Sequence, residues 1–341
     1  MIDSFYGNLL LAAAPDPLGG GAQKRIFLLI LLAVILLFLA RYLYKIAEYK
    51  SRAVRWMIPF HRRRPVPWSL GDAILIGIFF ISVPAFFYQG YHAIPEEYRP
   101  VLEWSADSSE TGKEADLKED RELSKAHPLT QILVQIKSQG NYGLIFFLCF
   151  FTGVIAAPIT EEFVFRVVLQ GALEKYFHSA ANWGRSFYIK GRIIGTILIP
   201  ALFFAFIHIR SSETASDPNA LLAGILIMPF AHLFTMIFAI CWLKLLYGAR
   251  FFDFGFSLKH FGSDFLKGVL VFFCLLTPLF LLQFVLRNTF PDQITDPIPI
   301  FVLAVALGIH YWFSHRIASI IAIHFMLNFC SFAAIFLAAS K

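Results

Sequence analysis

The stretch GLIFFLCFFTGVIAAPITEEFVFRVVL, residues 143–169, places two adjacent glutamates and an arginine inside an otherwise largely apolar segment. About 20 apolar residues are enough for a helix to cross the hydrocarbon core of a bilayer. An ionisable side chain near the centre of that core costs at least about 2.5–3.5 kcal/mol on insertion scales. A chain keeps such groups when they pair, line a wet cavity or perform chemistry. The stretch therefore predicts a membrane helix that carries a functional constellation.

The composition of the whole chain indicates a membrane protein. Of the 341 residues, 58% are hydrophobic and 15% are charged, and 39 are phenylalanine. Ordinary soluble domains are about 45–50% apolar and about 25% charged, so this excess is too large for one soluble core. The sequence predicts an all-α, polytopic transmembrane helix bundle with about eight spans, near 26–44, 70–91, 143–160, 190–209, 219–247, 265–286, 298–313 and 317–339.

Charged segments predict the orientation and organisation of the chain. The basic loop RYLYKIAEYKSRAVRWMIPFHRRRP at 41–65 accounts for much of the net charge of +6, and the positive-inside rule makes it cytoplasmic. The N-terminus is then outside, and the polar loop 92–142 is an extramembrane linker. Residues 1–142 thus hold two N-terminal spans and these loops. The charge indicates no nucleic-acid partner, and we expect a multi-pass protein of the cytoplasmic membrane.

The first cluster of polar residues lies in APITEEFVFR. Glu162 and Arg166 are four residues apart and share a helix face, so they can pair, whereas Glu161 points about 100° away. Pro158 indicates that a helix begins here or is kinked, and Thr160 is a candidate cap. The alternative to a buried site is a helix start at the membrane surface with acidic first-turn residues.

Two further clusters occur later in the chain. In FFAFIH, Phe204 and His208 share a face, and in IAIHFMLN, His324 and Asn328 do so. The alternatives are an interfacial histidine beside Arg210 in the first case and interhelical hydrogen bonding in the second. Taken together, a carboxylate and an imidazole can activate water as a general base. A second imidazole and an amide can stabilise an oxyanion, which completes the groups needed for peptide hydrolysis.

The order E-E-x-x-x-R, F-x-x-x-H and H-x-x-x-N on apolar helices resembles the CAAX protease and bacteriocin-processing family. This family is also called the CPBP or Abi family and includes the type II CAAX prenyl endopeptidases. The resemblance covers about residues 143–335 and implies an intramembrane glutamate protease. It assigns water activation to Glu161 and His208, and oxyanion stabilisation to His324 and Asn328. The supporting residues that it implies are Glu162, Arg166 and Phe204.

The resemblance favours a metal-free mechanism without a cofactor. Zinc bound by Glu161, His208 and His324 is the alternative, although no H-E-x-x-H motif is present. The expected partners are the bilayer and a peptide or membrane-protein substrate, either prenylated and CAAX-like or of the leader-peptide class. Other functions left open are a non-catalytic scaffold or immunity protein and, with no clear inverted repeat in its favour, a transporter. The sequence does not define the oligomeric state.

Two features depart from the family pattern. Between His208 and His324 lie 115 residues, so we expect residues 143–341 to form a catalytic helix bundle with an insertion between about 211 and 295. Strict alternation of the spans also puts His208 near the outer end of its helix and His324 nearer the cytoplasm. A shared site requires either that a span is miscounted or that some helices are partial.

Overall fold

The structure is a computed structural model that describes residues 65–95, 142–179, 185–208, 218–289 and 297–339. These residues form helices and no β-strand. Five helices are long and apolar enough to cross a membrane, and two shorter apolar helices accompany them, Ile194–Ile207 and Ile298–Ser314. The predicted polytopic all-α bundle is therefore confirmed. The expected span 26–44 and nearly all of the two loops at 41–65 and 92–142 lie outside the described residues.

The helices agree with the predicted spans to within a few residues at most ends. The α-helical segments, in chain order, are α1 Leu70–Ala93, α2 Tyr142–Phe150, α3 Ala157–Glu162, α4 Gly171–Ser179, α5 Arg185–Ile207, α6 Pro218–Tyr247, α7 Phe261–Thr289, α8 Pro297–Ser314 and α9 Ile317–Ala339. Segments α2, α3 and α4 form one continuous helix, called here the glutamate helix, because two π-helical segments join them, Phe151–Ala156 and Phe163–Gln170.

The glutamate helix neither begins at Pro158 nor ends at Glu162. Its apolar part runs unbroken from Phe146 to His178, so of the two interpretations of Pro158 the structure shows a continuing helix, and the alternative of a helix start at the membrane surface is wrong. The hydroxyl of Thr160 donates to the carbonyl of Ala156 at 2.9 Å and does not cap an N-terminus. Pro158 has no backbone N–H to donate within a regular α turn. It lies just after the first wide turn, where the regular hydrogen bonding is already interrupted, so the helix continues through it.

Each π segment offers a carbonyl oxygen to a side chain from elsewhere in the chain. The amide Nδ2 of Asn328 donates to the carbonyl of Gly153 at 2.7 Å, and the indole Nε1 of Trp68 donates to that of Val168 at 3.1 Å. A wide turn interrupts the regular hydrogen bonding between main-chain groups of a helix. Side chains of neighbouring elements can then donate hydrogen bonds to the carbonyl oxygens that have lost their partner. Contacts distant in sequence therefore hold the glutamate helix in this conformation.

The remaining helices pack in pairs around the glutamate helix. Helix α6 packs along α1, α5 along α8 and α7 along α9, while both α6 and α9 contact α3. At one end of the bundle, the carboxylate of Asp72 accepts hydrogen bonds from Trp242 at 3.0 Å and from Tyr247 at 2.6 Å. This carboxylate fixes the start of α1 to the end of α6. Because α6 and α9 both contact α3, the segment that bears both glutamates is enclosed by helices.

Candidate active site

Glu162 is the buried anchor of the site. Its Oε2 lies 3.1 Å from Nε of Arg166, and neither side chain is exposed, so the predicted ion pair is confirmed. Its Oε1 accepts a hydrogen bond from Nδ1 of His324 at 2.9 Å. Both carboxylate oxygens of Glu162 are thus engaged, one by a guanidinium and the other by an imidazole.

Glu161, the next residue, faces two imidazoles. Its Oε2 lies 3.8 Å from Nε2 of His324 and 4.0 Å from Nε2 of His208. The Glu161 side chain is 12% exposed and that of His208 is 28% exposed, so the group is largely enclosed but is not sealed. The structure therefore brings three of the four predicted catalytic residues together around one carboxylate oxygen.

The two histidines are held in the same way. Nδ1 of His208 lies 2.7 Å from the carbonyl oxygen of Phe204, which can only accept, so this nitrogen carries the hydrogen. Nδ1 of His324 is likewise directed to a carboxylate oxygen. A hydrogen bond at one ring nitrogen sets the role of the other, so both Nε2 atoms remain available on the side of Glu161. Distances of 3.8 and 4.0 Å leave room for a water molecule between the Glu161 oxygen and either Nε2 atom.

Phe204 packs against both imidazoles. Its ring centroid lies 4.6 Å from that of His208 and 5.7 Å from that of His324, and its side chain is almost fully buried. The guanidinium carbon of Arg166 lies 5.7 Å from the same centroid, within the range of a cation–π contact. The expectation that Phe204 packs beneath His208 is confirmed, and the ring also supports the second histidine.

Asn328 lies one helical turn beyond His324 on α9 and has a different environment. Its Nδ2 donates to the carbonyl of Gly153, as described above. An asparagine amide carries two N–H groups and one carbonyl oxygen, so one N–H and the oxygen remain for another ligand. Its role in oxyanion stabilisation stays a prediction.

The expectation that alternation separates His208 and His324 in depth is wrong, because both imidazoles approach the same oxygen of Glu161. Helix α5 spans Arg185–Ile207 and His208 directly follows its last residue, so the end of this helix lies at the site.

Sequence analysis missed His232, which lies on α6. This residue is 6% exposed, and its ring centroid lies 6.0 Å from that of Phe80 on α1. Its signal was present in the sequence, because His232 is an ionisable residue within the apolar span Ile227–Tyr247. It belongs to no multi-residue motif, so the comparison of spacings did not select it.

The zinc alternative requires ligand atoms about 2.0–2.2 Å from a common point. Over the described ranges of the chain, no group of three or more His, Cys, Asp or Glu side chains has an arrangement that could hold a metal ion. The metal-free mechanism stays a prediction.

Comparison with known proteins supports the resemblance that the motifs indicate. No curated protein and no solved structure gives a match. The apolar helices indicate an integral, multi-pass membrane protein. Residues 143–250, about a third of the chain, contain E-E-x-x-x-R and F-x-x-x-H and match the family model described as Rce1-like, type II CAAX prenyl endopeptidase Rce1-like, which agrees with the resemblance that the motifs carry.

Proposed function

We propose that this protein is an intramembrane endopeptidase that hydrolyses a peptide bond with water activated by Glu161. The observation that supports this function most directly is the approach of two Nε2 atoms to one Glu161 oxygen, at 3.8 and 4.0 Å. A carboxylate and an imidazole on one water are the groups that general-base catalysis requires. The match of residues 143–250 to a protease family supports the same class of reaction.

In this mechanism Glu161 takes a proton from the water molecule, and His208 orients the water through Nε2. The oxygen of the water forms a bond to the carbonyl carbon of the substrate, and the electrons of the carbonyl double bond move to its oxygen. Nε2–H of the protonated His324 and the second N–H of Asn328 donate to this oxyanion. The proton held by Glu161 then passes to the leaving amine as the C–N bond breaks.

Glu162 and Arg166 act on the reaction through position. Arg166 neutralises Glu162, and Glu162 in turn orients the ring of His324 through Nδ1. A carboxylate that holds one ring nitrogen fixes the direction of the other and stabilises the protonated ring. This arrangement explains why two adjacent glutamates stand in one apolar helix: one of them fixes a histidine and the other is left to activate water.

The substrate class that the family description suggests first is a prenylated C-terminal peptide, and the second is a leader peptide. The experiment uses full-length protein in phospholipid nanodiscs and an internally quenched peptide that ends in a farnesylated cysteine followed by three residues. A quenched leader-type peptide without a prenyl group is assayed in parallel. No metal is added, and we expect the rate to be unchanged by 1,10-phenanthroline.

Glu161→Gln keeps the size of the side chain and removes the base, so we expect the rate to fall by about 10²–10⁴-fold, the usual contribution of a general base. The amount of folded protein in the membrane should stay the same. Full activity of Glu161→Gln on a peptide that the unmodified protein cleaves would reject Glu161 as the base. Loss of activity with phenanthroline and its recovery with Zn²⁺ would favour the zinc alternative.

A further inference from the structure

The connection between α6 and α7, residues 248–260, exposes large apolar side chains at the end of two helices that can cross a membrane. Phe251 is 61% exposed, Phe252 is 65% exposed and Leu258 is 83% exposed. Exposed apolar patches of this kind mark a contact with a membrane or with another protein. Because the connection joins two spans, it lies at a surface of the bilayer.

The exposed rings belong to an ordered turn. The N–H of Phe254 donates to the carbonyl of Phe251 at 3.2 Å, and the N–H of the next residue, Gly255, donates to the carbonyl of Phe252 at 3.0 Å. The ring of Phe254 is buried and packs against that of Phe163 in the glutamate helix, at 5.4 Å between centroids. Phe254 therefore anchors the turn to the bundle, and the two preceding rings are held outwards.

The same region carries exposed positive charge. Lys244, Arg250 and Lys259 are exposed, and Asp253 is the sole carboxylate in the sequence from 244 to 260. Nζ of Lys244 lies 5.0 Å from the ring centroid of Phe251, so cationic and apolar groups adjoin one another. Segments that lie in the headgroup layer of a bilayer have this composition, because their apolar groups enter the acyl region while their cations remain among the phosphates.

The connection lies at the end of the bundle that follows the basic sequence 41–65. That sequence comes directly before α1, and Asp72 in the first turn of α1 accepts a hydrogen bond from Tyr247 at the end of α6. The positive-inside rule assigns this end of the bundle to the cytoplasmic side. Anionic lipids give the cytoplasmic leaflet a negative surface potential, which complements the charge of the connection.

We propose that residues 248–260 form a binding site for the headgroups of anionic phospholipids. Arg250 and Lys259 contact the phosphate groups, and Phe252 and Leu258 enter the acyl-chain region. A zwitterionic headgroup has no net negative charge to offer these cations, so the site selects an anionic lipid. A second copy docked through the same surface would bring two sets of cations together, which like-charge repulsion opposes. The site is separate from the candidate active site and does not depend on the proposed function.

The test uses full-length protein in detergent micelles and native mass spectrometry, which counts bound lipids and also reports dimers. The protein is titrated with dioleoylphosphatidylglycerol and, in parallel, with dioleoylphosphatidylcholine, which has the same acyl chains and no net charge. Arg250→Gln combined with Lys259→Gln removes two charges from the connection. Lys113→Gln combined with Lys118→Gln, in the polar loop 92–142 that follows the other end of α1, is the matched control. Thermal unfolding of each protein is recorded.

We expect the unmodified protein and the control to bind phosphatidylglycerol at least tenfold more tightly than phosphatidylcholine. A cation near an anionic surface contributes about fivefold to affinity, so the variant that lacks Arg250 and Lys259 should bind phosphatidylglycerol about 25-fold more weakly and unfold at the same temperature. Phe252→Ser combined with Leu258→Ser should weaken the binding of both lipids.

Equal affinity of the unmodified protein for the two lipids would overturn the inference. So would unchanged phosphatidylglycerol binding after the loss of Arg250 and Lys259. A dimer that disappears in the variant with serine at positions 252 and 258, without any change in lipid binding, would also overturn it and would identify a second copy of the chain as the occupant of this surface.

Discussion

His324 donates a hydrogen bond from Nδ1 to Oε1 of Glu162, 162 positions earlier in the chain, and thereby joins α9 to the glutamate helix at the level of the candidate site. Its other ring nitrogen points to Glu161. The imidazole of His324 therefore contacts both carboxylates, although Glu161 and Glu162 point in different directions from the helix axis. In the proposed mechanism, Glu162 fixes this ring and Glu161 activates the water.

The buried ion pair leads to the first prediction. Glu162→Gln removes the charge that faces Arg166, whose guanidinium is fully buried. Leaving one buried charge uncompensated costs about 3–5 kcal/mol, so we expect the free energy of unfolding to fall by that amount in a denaturant titration in mixed micelles. Glu174→Gln is the control, because Glu174 is partly exposed and its ion pair with His315 is long, at 4.0 Å. We expect it to change stability by less than about 1 kcal/mol. Equal effects of the two substitutions would contradict the assignment of Glu162 as a buried anchor.

The second prediction separates activity from stability at His208. This side chain is 28% exposed and lies just beyond the end of α5, so its removal leaves only a small cavity. We expect His208→Ala to lower the rate of peptide cleavage by about 10²–10⁴-fold while thermal unfolding stays unchanged. His178→Ala, at an exposed position near the end of α4, should leave both quantities unchanged. A marked fall in the unfolding temperature of His208→Ala would instead indicate a structural role.

The third prediction concerns Asn328, whose amide donates to the carbonyl of Gly153 in the first π segment. Asn328→Asp replaces that donor by an acceptor that faces another acceptor, whereas Asn328→Ala only leaves the carbonyl unpaired. An unsatisfied buried group costs about 1–3 kcal/mol. We therefore expect both variants to be less stable than the unmodified protein in thermal unfolding, with the aspartate the less stable of the two. An aspartate variant as stable as the unmodified protein would show that the hydrogen bond to Gly153 does not hold the wide turn.

The fourth prediction uses two glycines of α7. A Cβ on Gly268 would lie 2.2 Å from the carbonyl oxygen of Ser319 and 2.7 Å from Cβ of Ala322, both on α9. Small residues let membrane helices approach closely, so Gly268→Ala forces α7 and α9 apart. We expect it to lower the free energy of unfolding by about 1–3 kcal/mol. Gly262→Ala should be neutral or stabilising by up to about 1 kcal/mol, since a Cβ there meets nothing within 4 Å. The same denaturant titration measures both, and equal effects would contradict the close packing of α7 on α9.

Sequence reasoning predicted those parts of the molecule that depend on local pattern. Apolar length identified the spans, and spacing of four identified the Glu162–Arg166 pair and the packing of Phe204 on His208. These features are set within one helix, where 3.6 residues per turn determine which side chains meet. The convergence of Glu161, His208 and His324 was predicted from the three clusters together with a family resemblance.

The features that were missed depend on contacts between distant parts of the chain. The wide turns beside α3 coincide with hydrogen bonds to Asn328 and Trp68, which lie 175 and 100 positions away from the carbonyls they bind. No local pattern contains that information, so the sequence left open whether a helix begins at Pro158 or continues through it. His232 was missed for another reason, since a lone histidine carries no spacing signal.

The two π segments give the glutamate helix two phase shifts along its length. Before the first of them, Phe146 and Phe150 pack against Phe332 of α9 with inclined rings, at 5.1 and 5.6 Å between centroids. A π turn holds about one residue more than an α turn, so deleting a single residue from Phe151–Ala156 would convert the wide turn into a regular one and leave that aromatic face close to its present direction relative to Glu161. The wide turn is therefore a place where the glutamate helix can lose one residue without turning the reacting group away from its partners.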